Sequence, residues 1–301
     1  MRFLKIPKRT GYLALWILFI SLIVGGCGEP YLLTAEDVIC SENETPALTA
    51  KLEERGIFIF NKPIPHQNVE FFLNDEWLGE GKTNEAGYVK ISCPPEQPEA
   101  TIIRIICHGG ADEPIETTAT IFTWSKNDPI LVADIDDTLC QTQQGLLIGF
   151  SYDDGSSPLP GASETMNELA QSFRIIYLTA RPRELIAKTK RWLKNNNFPD
   201  GPVLTWDIDS DPWSQLGYKQ RRLDQLTENF SNITIGIGNT PKDITAYRDH
   251  GMFCIFIDPE SRPERFDRGV KLPDWTKTLD FFQINPELYD LKNLDSPMKL
   301  P

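Results

Sequence analysis

Two aspartates spaced by two, Asp134 and Asp136, stand in the run Asp134-Ile135-Asp136-Asp137-Thr138, directly after the apolar stretch Ile130–Ala133. Along extended backbone that spacing puts both side chains on one face. One carboxylate can attack a phosphoryl group and form an aspartyl-phosphate. The departing alkoxide needs a proton, and the second carboxylic acid supplies it. Two close carboxylates do not both ionise without help. A magnesium ion gives that help and neutralises charge on the phosphoryl oxygens.

Three further pieces supply what such a reaction lacks. Thr179-Ala180-Arg181-Pro182 offers Thr179 as a hydrogen-bond donor to a phosphoryl oxygen. Lys219 is a point charge able to hold both phosphate and nucleophile. Gly238-Asn239-Thr240-Pro241-Lys242-Asp243 brings Asp243 as a further magnesium ligand beside Asp134 and Asp136. Thr138, Arg181 and Asn239 are candidate substrate contacts, with Thr138 also supporting the turn. Each piece has a bland alternative: an acidic run is often a solvated turn, Asn239 and Asp243 read as helix caps, and a lone lysine is usually on the surface. Their order after successive strands is what favours a site.

Rival chemistries lack their residues. The chain has three histidines, none among these pieces, and no cysteine is followed six positions later by arginine. Gly81-Lys82-Thr83 imitates a P-loop ending, but Glu76 stands where its first glycine belongs. There is no G-x-S-x-G.

The elements that must position these residues alternate from about residue 128 onward. Ile130–Ala133, Arg174–Leu178, Val203–Trp206, Ile233–Ile237 and Phe253–Ile257 read as buried strands. Helices are expected over Ser163–Ser172, with Ser163 as N-cap, and over Arg183–Asn196, Tyr218–Phe230 and Asp243–His250. This is the pattern of an α/β doubly wound parallel sheet, whose sites lie at the carboxyl ends of the strands. The domain is expected over 128–285, with an uninformative, proline-interrupted tail.

Before it, residues 46–125 have β texture: short runs with partial alternation and turn signals at Asn74-Asp75 and Asn84-Glu85-Ala86-Gly87. Six or seven short strands favour a β-sandwich. Residues 28–45 are polar and acidic, without periodicity, and read as a tether. Residues 1–27 read as an export signal: basic residues, an apolar run from Tyr12 to Val24, then Gly25-Gly26-Cys27. The formal charge is −13, and −17 without Arg2, Lys5, Lys8 and Arg9. Such a surface repels nucleic acid. Cys93 and Cys107 end neighbouring strands and either pair or stay as buried thiols.

By its four motifs the chain resembles the haloacid-dehalogenase-like phosphatases, and within them the lipin-type and actin-patch-type phosphatidate phosphatases. Asp134, Asp136 and Thr138 fit their D-x-D-x-T, and Gly238–Tyr247 looks like the lipin G-N-x-x-x-D-x-x-A-Y segment. Phe198-Pro199-Asp200-Gly201-Pro202 is similar to an actin-patch-type segment. The resemblance implies Asp134 as nucleophile and metal ligand, and Asp136 as general acid/base lending its backbone carbonyl to magnesium. It implies phosphate binding by Thr179 and Lys219, and Asp243 as metal ligand. Leu78–Gly87 resembles a hairpin of immunoglobulin-like or carboxypeptidase-regulatory-like modules, and Val24–Cys27 resembles a bacterial lipoprotein cleavage box. An exported, membrane-anchored lipoprotein acylated on Cys27 is thus expected, acting on phosphatidate or a similar phospholipid. The alternatives are soluble phosphomonoesters such as nucleotide or sugar phosphates, or a surface binding protein with a vestigial phosphatase fold. No large cap domain fits between Thr138 and Gly161, so the site should be open. Leu146, Leu147, Ile148 and Phe150 flank its mouth and either touch a lipid tail or pack as a small hairpin.

Overall fold

The structure is a computed structural model. It describes residues 30–42, 44–57, 60–94, 99–109, 113–141, 156–289 and 298–301. Cys27, the apolar run before it, and Leu146–Phe150 lie outside the described residues. Tyr31–Pro301 forms one compact unit.

Its first part holds nine strands: β1 (Tyr31–Ala35), β2 (Val38–Ser41), β3 (Ala47–Ile57), β4 (Phe60–Pro63), β5 (Asn68–Leu73), β6 (Glu76–Lys82), β7 (Tyr88–Ser92), β8 (Ala100–Cys107) and β9 (Ile115–Trp124). One sheet is ordered β1-β3-β4, with β7 also on β3; the other is β2-β9-β8-β5-β6. Their inner faces share a core of Leu33, Leu48, Leu52, Val69, Phe71, Ile103, Ile105 and Ile121. Alternate residues of each strand face this core, so two half-apolar sheets cover each other.

The second part is a seven-stranded sheet ordered β12-β11-β10-β13-β14-β16-β15. Its strands are β10 (Ile130–Ala133), β11 (Arg174–Pro182), β12 (Val203–Trp206), β13 (Ile233–Gly238), β14 (Phe253–Ile257), β15 (Glu264–Phe266) and β16 (Gly269–Leu272). Every neighbouring pair is parallel except β15 with β16. The helices are α1 (Ala162–Leu169), α2 (Ile186–Asn195), α3 (Gln215–Asn229), α4 (Pro241–Asp249) and α5 (Trp275–Ile284). Leu131, Ala133, Ile235 and Ile255 face α1, α2 and α5. Ile130, Val132, Ile233 and Cys254 face α3 and α4. Burial on both faces is why these strands read as unbroken apolar runs.

Several expectations are corrected. The acidic stretch 28–45 carries β1 and β2 and is no tether. Between them, buried Asp37 accepts hydrogen bonds from Thr120 N (2.7 Å) and Val203 N (3.1 Å) and pairs with Lys190 (2.6 Å). Glu36 accepts from Thr205 N (2.8 Å) and pairs with Arg222 (2.9 Å). These carboxylates satisfy backbone donors on the outer edge of β12, an edge that otherwise invites another strand. Gly161, in left-handed backbone, caps α1; Ser163 instead bonds the Asn197 carbonyl. Helix α3 begins at Gln215 because Ser214 caps it. Described residues beyond 285 belong to the fold: Leu288 and Met298 are in the core, and Asn285 ties down Lys299. Cys40, Cys93, Cys107, Cys140 and Cys254 are all buried and in no disulfide; burial pushes the Cys93 thiol up to about 11.

Candidate active site

Strand β10 ends at Ala133, and Asp134 continues its ladder by donating its N–H to the Ile237 carbonyl (2.9 Å). The chain then turns sharply. The Ile135 carbonyl receives the N–H groups of Thr138, Leu139 and Cys140. Asp137 takes left-handed backbone (φ 57°) and stays exposed. A short polar side chain tolerates that conformation better than most. Trp275 Nε1 donates to the Thr138 carbonyl (2.7 Å), clamping the turn from α5.

The structure brings the sequence-identified residues together. Lys219, in the second turn of α3, is buried and bridges two carboxylates: 2.6 Å to Asp134 Oδ1 and 2.5 Å to Asp243 Oδ1. The other Asp134 oxygen lies 3.0 Å from the Thr138 hydroxyl, which is 3.1 Å from Asn239 Oδ1. Asp243 Oδ2 accepts from Thr240 N (2.9 Å) and Thr240 Oγ1 (2.7 Å), the reciprocal half of a capping box that starts α4. Asp243 therefore closes the capping box of α4 and also holds Lys219.

Thr179 does not follow β11, because that strand runs on to Pro182. Its hydroxyl donates to Asp136 Oδ2 (3.2 Å). Arg181 was expected to contact substrate; instead its guanidinium is buried and turned inward. It grips Asp136 through Nε (3.0 Å) and Nη2 (2.9 Å), bonds the Thr189 hydroxyl, and reaches Cys140 Sγ. A fork of this kind fixes a carboxylate in position and plane. Arg181 is thus a positioning residue for Asp136.

Charge decides what else fits here. Asp134, Asp136 and Asp243 face Lys219 and Arg181, one carboxylate too many for the cations among these residues. Burial pushes Asp134 up to about 7; Lys219 opposes this, and Asp243 and Asp136 add to it. Burial alone would lower Lys219, but Asp134 and Asp243 hold it above its ordinary value. A cluster of three carboxylates offers oxygen donors of the kind a hard divalent cation takes. Among the described residues no three such side chains already close on one point; the Lys219 ammonium lies between Asp134 and Asp243.

Sequence reading missed two glycines. A Cβ on Gly238 would lie 2.5 Å from Asp243 Cβ, and one on Gly236 would lie 2.3 Å from the Tyr247 ring. Both clear space for α4 to press on β13. The signal was present in Gly236-Ile237-Gly238, since glycine inside an apolar strand marks close approach.

Comparison with known proteins covers the same stretch of chain. The LNS2 domain profile of the PITM 1–3 proteins matches residues 131–256, which include every site residue above. Nuclear elongation and deformation protein 1 of Schizosaccharomyces pombe is 29% identical over 97 residues, covering 29% of this chain and 14% of that protein. Human membrane-associated phosphatidylinositol transfer protein 3 is 31% identical over 115 residues, covering 37% of this chain and 12% of that protein. A putative nucleotidase of Bacillus cereus is 47% identical over 49 residues, covering 16% of this chain and 26% of that protein. The matched segments thus span only about a quarter or less of these relatives. The matches point to a phosphatase-type domain in the second part of the chain.

Proposed function

We propose that this chain is a magnesium-dependent phosphomonoesterase that works through an aspartyl-phosphate on Asp134. The observation that carries it is the buried Asp134, held by Lys219 and Thr138, with Asp136 two residues on and separately gripped by Arg181. An Asp134 oxygen attacks phosphorus, and the ester P–O bond breaks. The leaving alkoxide takes the Asp136 proton. Water then gives its proton to Asp136 and attacks phosphorus, and the aspartyl P–O bond breaks to release phosphate. Lys219 offsets the negative charge that accumulates, while Thr179 and Asn239 border the phosphoryl position. Asp134, Asp243 and the Asp136 carbonyl would hold magnesium, which supplies neutralisation of phosphoryl charge.

For the substrate we infer phosphatidate or a similar phospholipid. The lipin-type motifs support this, as does the lipid named in the transfer-protein relative. The nucleotidase match supports a second reading, a soluble phosphomonoester. An acylated Cys27 would hold the exported domain at its membrane; loss of labelled palmitate from Cys27→Ala tests that. Phosphate release from phosphatidate vesicles, nucleoside monophosphates and sugar phosphates, with and without magnesium, ranks the substrates. Asp136→Asn should keep substrate binding and lose about 10²–10⁴-fold in kcat. Absence of magnesium-dependent release from every ester would end the enzymatic reading.

A further inference from the structure

Strand β3 is buried on both faces, for different reasons. Leu48, Ala50 and Leu52 point into the sandwich core. Thr49, Lys51 and Glu53 alternate with them and point out of the sandwich, the face that an antiparallel sheet commonly leaves to water. Yet Lys51 is only 1% exposed and Glu53 2%. Tyr88 on β7 stands opposite Lys51 in the ladder and shares that outer face. What meets them are residues just past the ends of β11 and β12, namely Arg183, Asp207 and Asp209.

Asp207, the first residue after β12, is the meeting point. Its Oδ2 accepts from the Tyr88 hydroxyl (2.6 Å) and from Arg183 Nη1 (2.8 Å). Its Oδ1 lies 3.5 Å from Lys51 Nζ, whose nearer partners are Asp209 (2.7 Å) and Glu53 (3.0 Å). Arg183 is buried as well. Its Nη2 reaches the Thr49 carbonyl (3.4 Å), and its guanidinium lies 5.6 Å from the centre of the Tyr88 ring. The sandwich thus holds Arg183 both directly and through Asp207. Among these groups Tyr88 is the one without charge, so deleting its hydroxyl removes one bond and leaves every charge in place.

Arg183 matters because of what precedes it. Strands β11 and β12 pair at Leu178 with Leu204 and again at Pro182 with Trp206. Thr179, Ala180 and Arg181 therefore stand against Thr205 alone. A bulge of this kind re-aims side chains, and this one carries Thr179 and Arg181, which both bond Asp136. The ladder resumes at Pro182, and Arg183 follows at once, opening the short 3₁₀ turn Arg183–Leu185. Its pair with Asp207 ties the far end of the bulge to the first residue past β12. If that end shifts, Arg181 shifts with it, and the two-nitrogen fork on Asp136 is sensitive to such a shift.

We propose that Tyr88 of the sandwich is a positioning residue for Asp136: through Asp207 and Arg183 it fixes the end of the bulge from which Arg181 grips that carboxylate. The sandwich then completes the active site instead of serving as a separate binding module. The inference rests on the phosphomonoesterase reading above, in which Asp136 moves the proton. The test uses the full chain as wild type, Tyr88→Phe, Arg181→Lys, the double variant and Val89→Ala. Val89 is next to Tyr88 but faces the sandwich core, so its truncation lowers stability without touching Asp207. On the best substrate of the panel, Tyr88→Phe should lower kcat about tenfold, part of the roughly 10²-fold that a misplacement near 1 Å brings. KM should stay within about twofold. Folded Val89→Ala should keep kcat within about twofold. In the Arg181→Lys background Tyr88→Phe should lower kcat by less than about twofold more, because the route it acts through is already cut. An unchanged kcat or a change in KM alone in Tyr88→Phe, an equal loss in Val89→Ala, or the full loss repeated in Arg181→Lys overturns the proposal. If wild type cleaves no ester, the phosphomonoesterase reading falls, and NMR of arginine-¹⁵N-labelled protein decides the linkage separately. The Arg181 Nε–H signal is assigned by its loss in Arg181→Lys. A shift of that signal in Tyr88→Phe but not in Val89→Ala sustains the linkage; an unmoved signal in Tyr88→Phe, or the same shift in both, overturns it.

Discussion

Gly238→Ala tests whether the placement of Asp243 matters to the chemistry. The added Cβ would lie 2.5 Å from Asp243 Cβ, 2.9 Å from Cγ and 3.0 Å from Oδ2, whereas ordinary contact begins near 3.4 Å. Something must therefore move by about 0.9 Å. Strand β13 has little room to retreat, since Ile237 pairs with Ala133 on one side and Gly238 with Phe256 on the other. The movement falls on the start of α4. It pulls Asp243 from its 2.5 Å contact with Lys219 and strains the Thr240 cap. Misplacement of a reacting constellation by about 1 Å costs roughly 10²-fold. Overpacking costs about 1–3 kcal/mol of stability. The assay measures kcat on the best substrate of the panel across a magnesium titration, with urea unfolding run beside it. Gly79→Ala is the control, because nothing lies within 4 Å of a Cβ there. A folded Gly238→Ala protein with unchanged kcat and unchanged magnesium requirement would refute a role for Asp243 at its observed position.

Other perturbations probe the supports of the site. Arg181→Lys cannot reproduce the fork on Asp136; kcat should fall by about 10²-fold with KM little changed, whereas a substrate-binding role would raise KM. Asp37→Ala strands the N–H groups of Thr120 and Val203, so urea unfolding should show a loss of roughly 2–5 kcal/mol, with Asp37→Asn recovering part of it. Burial raises the Glu184 carboxyl to about 7, with Glu53 and Asp207 adding to this and Lys51 opposing. The folded chain keeps this proton between the ordinary value of 4.5 and about 7, where the unfolded chain releases it. Its contribution is complete below that window and is lost as pH rises through it. Glu184→Gln should flatten the fall in stability across this window, and an unchanged slope would contradict the burial assigned to it.

Legibility in the sequence followed the range of the interaction. Asp134, Asp136, Thr179, Lys219 and Asp243 were readable because each follows or lies near a strand whose apolar run is unmistakable, and a parallel sheet gathers strand ends at one edge. Arg181 was readable as a charge near the site, but not in its direction. Whether a guanidinium faces substrate or the back of a carboxylate depends on what lies behind it. Here Thr189 takes Nη1, and Cys140 Sγ shares Nη2 with Asp136.

The acidic stretch before residue 46 shows why the first part was harder. Glu36 and Asp37 look like solvated charges, since burying a carboxylate is costly unless it is fully partnered. Their partners are Val203, Thr205, Lys190, Arg222 and Thr120, all distant in the chain. The same holds for Lys51, a fully buried lysine whose carboxylates include Asp207 and Asp209. Asp207 shows the balance: burial pushes it up, but the Tyr88 hydroxyl and the Arg183 and Lys51 cations outweigh that and hold it at about 2. Composition counts these residues as surface charge, while the fold uses them to tie the first part of the chain to β12 and the residues after it. The strands meant to be independent of the phosphatase-type domain are thereby bound to its open edge. Removing them would expose the N–H groups of Val203 and Thr205 on β12 and leave Asp207 and Asp209 without Lys51.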